Sequence, residues 1–150
     1  MSNKWTQNDM PDLTGKVVVI TGANSGLGLE STKMMAAKGA TIVMACRNVS
    51  KAEKAKAEVL KSVPNANLDL MALDNSDLAS VRAFADAFKA KYDRLDILLN
   101  NAGVMAIPRT ETADGFEMQL GVNHLGHFAL TGLLLDVITS TPNARIHNTS

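Results

Sequence analysis

What this chain has little of narrows it first. Cysteine occurs once, as Cys46, so no internal disulfide can form and a reducing compartment suits the chain. Neither sign of charge is in excess. Fifteen Lys and Arg balance fifteen Asp and Glu, which favours neither nucleic acid nor an anionic membrane surface as a partner. No run reaches the roughly 18 apolar residues of a membrane helix. The opening MSNKWTQNDMPDLTGK is polar and has no apolar stretch of the kind a signal peptide needs. A soluble, cytoplasmic protein is expected. Internal repeats, low-complexity tracts and interdomain linkers are also absent. What remains is ordinary globular material: 150 residues, 46% apolar and 20% charged, enough for one domain with its own core. Residues 1–12 read as a loose arm closed by Pro11 and Asp12, and residues 13–150 as the domain.

Short apolar runs alternate with helical patterns. KVVVIT (16–21) is β-branched and apolar throughout, as expected of a strand buried on both faces. ATIVMAC (40–46) is similar, LDLMAL (68–73) is weaker, and DILLN (96–100) and RIHNTS (145–150) complete a set of five. RIHNTS reads as the end of a buried strand arriving at a site. Helices are expected over 26–38, 50–62, 77–91 and, as one long element, 112–139. Strand and helix in alternation imply an α/β fold: a doubly wound parallel sheet with right-handed crossovers. The helix of 50–62 carries Lys51, Glu53, Lys54, Lys56, Glu58 and Lys61 and reads as a solvated face. The long helix is apolar nearly all round, from Phe116 through Phe128 to Leu135, so its outer face calls for a cover.

Chemistry is carried first by TGANSGLG, residues 21–28, between the first strand and a helix. Gly22 would make the turn, Gly26 would let a pyrophosphate approach, and Gly28 would let helix and strand pack closely. Free N–H groups at a helix start, with the positive end of its dipole, form an anion site. Thr21, Gly22, Asn24, Ser25, Gly26, Leu27 and Gly28 are therefore candidate cofactor residues. The spacing G-x3-G-x-G is one residue longer than the usual dinucleotide fingerprint, and a purely structural turn is the competing reading. After the second strand stand Cys46, Arg47 and Asn48, with no acid. An acid there would accept from the ribose hydroxyl of NAD, whereas a guanidinium suits the 2′-phosphate of NADP. Arg47 and Asn48 thus point to NADP over NAD, against the plainer reading of Arg47 as a surface charge.

TGANSGLG (21–28), LD (73–74), NNAG (100–103) and NHLGHF (123–128), in this order, resemble the short-chain dehydrogenase/reductase family from about residue 12 onward. ACRN (45–48) and GFEMQLGVNHLGHFALT bring the resemblance nearest to its retinol-dehydrogenase-like branch. The resemblance implies a Rossmann-type sheet of order 3-2-1-4-5, ending in this sequence after the fifth strand. It implies that Asp74 accepts from the adenine amino group, with the backbone of Asn75 beside it. Asn101, Ala102 and Gly103 would pass under the adenine-side ribose. Asn123 resembles the family's helix asparagine, which disturbs the helix and supports a water in a proton relay. An Asn inside an apolar helix is in any case a poor choice unless its amide has work to do. His124 and His127, three apart, make no metal site without a third ligand and read as packing or surface residues. Cys46 has no basic partner and reads as inert.

In the family the fifth strand ends in a pattern like R-I-x-N-x-S-S, whose second serine is catalytic. Arg145, Ile146, Asn148 and Ser150 match it, which places that serine one position beyond Ser150 and the tyrosine and lysine of Y-x-x-x-K further on. Ser150 is itself a candidate through a one-residue shift. Tyr92, the only tyrosine, is followed by Asp93, Arg94, Leu95 and Asp96 and cannot supply the pair; it reads as a helix-end residue. The function expected is that of an NADP(H)-dependent oxidoreductase interconverting an alcohol and a carbonyl on a lipophilic small molecule, as a homo-oligomer. The alternative is a non-catalytic dinucleotide-binding module used for sensing or assembly.

Overall fold

The computed structural model describes residues 4–150. Met1 to Asn3, the start of the expected arm, lie outside the described residues. β1 (Val17–Thr21), β2 (Thr41–Cys46), β3 (Asn67–Ala72), β4 (Ile97–Asn100) and β5 (Arg145–Asn148) form one parallel sheet in the order β3-β2-β1-β4-β5. The expected fold class and strand order are both borne out. In register, Val19 stands beside Val43 on one side and Leu98 on the other.

Residues alternate across the pleat, so a strand covered on both faces must be apolar at every position. Val17 and Val19 join a core with Phe84, Phe88, Leu130 and Leu134, on the face covered by α3 (Leu78–Lys91), α5 (Gly126–Leu133) and α6 (Leu135–Ser140). Val18 and Ile20 join Ile42, Met44, Ala52 and Val59 on the opposite face, under α1 (Gly26–Ala37) and α2 (Val49–Ser62). The solvated reading of α2 holds: it buries only Ala52, Ala55 and Val59.

Two expectations need correction. The pattern over 112–139 is not one helix. Residues 112–117 make a tight turn, in which Thr112 N–H donates to Phe116 O at 2.8 Å and Glu111 bridges Glu117. Gly115, at φ +81°, supplies the left-handed backbone of that turn. Helix begins at α4 (Met118–Leu120), widens into a π turn over Gly121–Leu125, and continues as α5; at Leu134 (φ −99°, ψ 2°) it breaks before α6. Apolar periodicity does not register the break at Leu134, because Leu130, Leu134 and Ile138 keep a four-residue spacing through it and stay in one core. The second correction concerns RIHNTS. β5 covers only Arg145–Asn148 and is exposed along its whole length, since among the described residues β4 alone flanks it.

Candidate functional site

β1 pairs with both β2 and β4, and the crossovers leave it in opposite directions. A crevice must open at such a switch point, beyond the carboxyl ends of the strands. Here it is a cleft of about 500 Å³. Of the residues singled out from sequence, Thr21, Gly22, Asn24, Ser25, Leu27, Arg47, Asn48, Asp74, Asn75, Asn101, Ala102 and Gly103 line it. Gly26, Gly28, Asn123 and Ser150 do not; beside the end of β5, Thr149 takes the wall position.

The two glycines outside the wall differ in kind. A Cβ on Gly28 would run into the carbonyl oxygen of Gly22, so this position needs glycine for packing of α1 against the turn. Gly26, at φ +53°, has nothing within 4 Å of where its Cβ would be, and the space above it is open. Ser25, the N-cap residue of α1, makes no side-chain capping bond. α2 and α3, by contrast, are capped by Asn48 (from Lys51 N–H) and Asp77 (from Ala79 and Ser80 N–H). The start of α1, at the cleft, thus leaves its first N–H groups for another acceptor.

Across from it, Arg47 and Lys51 stand at the edge of the cleft beyond β2, and Asp74 is the only carboxylate in the wall. Neither cation is in an ion pair among the described residues. From sequence Lys51 reads only as part of a solvated helix face; its place on the first turn of α2, four residues after Arg47, is the signal that it also reaches the cleft. Asp74 Oδ1 accepts from Ser76 N–H at 2.9 Å and from Ser76 Oγ at 2.6 Å, which orients the carboxylate. Asn75 is buried where α5 crosses, and a Cβ on Gly126 would meet its carbonyl oxygen.

The far wall is the segment 101–104. Asn101 and Ala102 each donate a backbone N–H to Thr21 Oγ1 at 2.9 Å, and Asn101 Nδ2 donates to Thr21 O at 3.0 Å. Asn100, buried in the sheet, donates to Thr131 Oγ1 and Asn148 Oδ1. Asn123, in the π turn, accepts from Val104 N–H at 2.8 Å and donates to Val104 O at 2.9 Å. The paired histidines separate: His124 is exposed, whereas His127 is buried with Nε2 2.8 Å from Thr21 Oγ1. Cys46 is buried, and burial pushes its thiol up to about 11, away from the thiolate form. Tyr92 ends α3 as expected and donates to Asp69; burial and then that carboxylate push its hydroxyl up to about 12.

Comparison with known proteins agrees with this geometry. The family model for short chain dehydrogenases matches residues 16–150. Human retinol dehydrogenase 12 is 51% identical over 138 residues, which are 92% of this chain and 44% of that protein. The crystal structure of a Mycobacterium paratuberculosis protein superposes with TM-score 0.79 at 47% identity, over 89% of this chain and 46% of that one. Levodione reductase superposes with TM-score 0.77 at 30% identity, over 89% and 53%. The chain belongs to the short-chain dehydrogenase family, and its likeness to retinol dehydrogenases bears out the branch read from its motifs. It spans less than half the length of the curated relatives it matches.

Proposed function

We propose that this chain forms the dinucleotide-binding part of an NADP(H)-dependent oxidoreductase that interconverts an alcohol and a carbonyl by hydride transfer. The observation that carries the reading is one cleft with an uncapped helix start on one side and, on the other, two cations, Arg47 and Lys51, that are in no ion pair among the described residues. The residues fit the cofactor on those grounds. Ser25, Gly26 and Leu27 would hold the pyrophosphate at the start of α1, and Arg47, Lys51 and Asn48 the 2′-phosphate. Asp74 and Asn75 would hold the adenine, and Asn101, Ala102 and Gly103 the adjoining ribose. When bound, the nicotinamide supplies or accepts the hydride at the substrate carbon.

The proton for the substrate oxygen has to come from elsewhere. Among the described residues the only tyrosine is held at Asp69, so Tyr92 does not supply it. We assign that step, with the family's serine, tyrosine and lysine, to chain beyond Ser150; a placed acid/base of this kind contributes about 10²–10⁴ in rate. Asn123 is the candidate here for an accessory catalytic role, and Ser150 remains the alternative to the serine beyond it. Relatives named for retinol suggest a lipophilic alcohol or carbonyl as substrate.

Titrating NADPH and NADH against the protein tests the cofactor assignment. NADPH should bind more tightly, and Arg47→Asp should abolish or invert the preference, because a carboxylate repels the 2′-phosphate. Equal affinities in the native chain, or an unchanged preference in the variant, would defeat it.

A further inference from the structure

The cofactor reading uses Thr21 and segment 101–104 but leaves buried His127 without a task. Hydrogen-bond counting settles the state of its ring. A hydroxyl has one proton to give and two lone pairs. Both lone pairs of Thr21 Oγ1 are engaged, by Asn101 N–H and Ala102 N–H at 2.9 Å. Its proton can therefore go to Leu99 O, at 3.5 Å, or to His127 Nε2, at 2.8 Å, and the shorter partner is the better acceptor. Nε2 must then be bare and Nδ1 must carry the ring proton, which it donates to Asn123 O at 3.2 Å.

Those bonds close a ring. Segment 101–104 is held at its start by the Thr21 hydroxyl and at its end by the Asn123 side-chain amide. Thr21 ends β1 and Asn123 sits in the π turn, and His127 is the strut between them. We infer that His127 is a positioning residue: as the neutral Nδ1–H tautomer it braces β1 against the π turn and so fixes the cleft wall formed by residues 101–104. The inference rests on the cofactor reading for its consequence, dinucleotide affinity, though not for its geometry. Burial disfavours the protonated ring, and it outweighs the Asn123 carbonyl, which favours it; the balance lies with the neutral form. Protonation would place a donor against a hydroxyl with no free lone pair, and one of the N–H bonds from Asn101 or Ala102 would have to break.

The test uses the 150-residue chain with ¹⁵N-labelled histidine. The ring signals of His127 at neutral pH should show a bare Nε2 and a protonated Nδ1. His127→Phe, which keeps a ring and removes both bonds, should speed amide exchange at Ala102 and Val104 about tenfold and weaken NADPH binding about tenfold. His127→Gln, whose Oε1 can accept from Thr21, should recover most of both losses. A proton on Nε2 overturns the inference. So do unchanged exchange and affinity in His127→Phe, or equal losses in both variants, which would mark a role in packing alone. If His127→Phe does not fold, the native tautomer and the Gln variant decide: slow exchange at Ala102 with bare Nε2 supports it, and fast exchange there defeats it. A native chain that binds neither dinucleotide sinks the cofactor reading, and tautomer and exchange then decide the strut by themselves.

Discussion

Gly26 and Gly28 stand two residues apart and should answer substitution in opposite ways. Gly28→Ala puts a Cβ into the Gly22 carbonyl and close to Asn101 Nδ2, at 2.7 Å. Overpacking of this kind costs about 1–3 kcal/mol, so thermal unfolding should move down markedly. At Gly26 the space is open and the constraint is the left-handed backbone, which asparagine tolerates far better than a β-branched residue. Gly26→Asn should therefore keep a melting temperature near the native value yet lose NADPH affinity, because its side chain enters the volume over the start of α1. Gly26→Val should lose both. A Gly26→Asn chain that binds NADPH normally would reduce the turn to a structural one. His127 adds a dependence on pH. Its folded pKa lies below the ordinary 6.5, chiefly through burial. The unfolded chain therefore takes up a proton more readily than the folded one, and stability present above pH 6.5 is lost as pH falls below it. Denaturant unfolding at successive pH values should show this decline, and His127→Gln should lack it.

Among the elements, the helices divide by how their first N–H groups are satisfied. α3 owes its start to Asp77, whose Oδ1 accepts from Ala79 N–H at 2.8 Å, and to Asp114, which accepts from Leu78 N–H at 2.9 Å. Asp77→Ala should cost about 1 kcal/mol in urea unfolding, the usual worth of an N-cap. No comparable loss should follow at Ser25, because that hydroxyl caps nothing. The spans of α2 and α3 were legible from the sequence to within a residue or so, though not the residues that cap them. The element from 112 to 139 was not. Its apolar residues stay in helical phase, while the π turn at Gly121–Leu125 depends on a partner far along the chain, the backbone of Val104. Gly126 likewise looks unremarkable until Asn75 is seen against it.

At the scale of the whole molecule, α5 presents an uncovered apolar face among the described residues. Its inner face is buried through Leu130, but Phe128 is 74% exposed beside an apolar groove formed with Leu78, Ala129, Gly132 and Leu133. An exposed apolar surface of this kind favours association. We propose that a second copy covers it, as the homo-oligomer expected from the sequence would. Light scattering of the native chain should then report a species larger than the monomer, and Phe128→Glu should return it to monomer with its helical content intact. A native monomer would remove the proposal. Among the described residues no helix is long and apolar enough to cross a membrane.

The sequence by itself determined the strands, the glycine turn and most of the cleft wall, while the sheet order came from the family resemblance. Their signals are local: an unbroken β-branched run for a strand buried on both faces, glycines at fixed offsets, a cation following a strand. Motifs of that kind also suffice to place the chain in its family. Only the tertiary structure decided that Lys51 joins Arg47 at the cleft and that the long apolar pattern opens on a turn and breaks again at Leu134. It also decided the state of His127. A buried imidazole takes its tautomer from whatever faces its two nitrogens, and here those partners are Asn123, four residues away, and Thr21, 106 residues away along the chain.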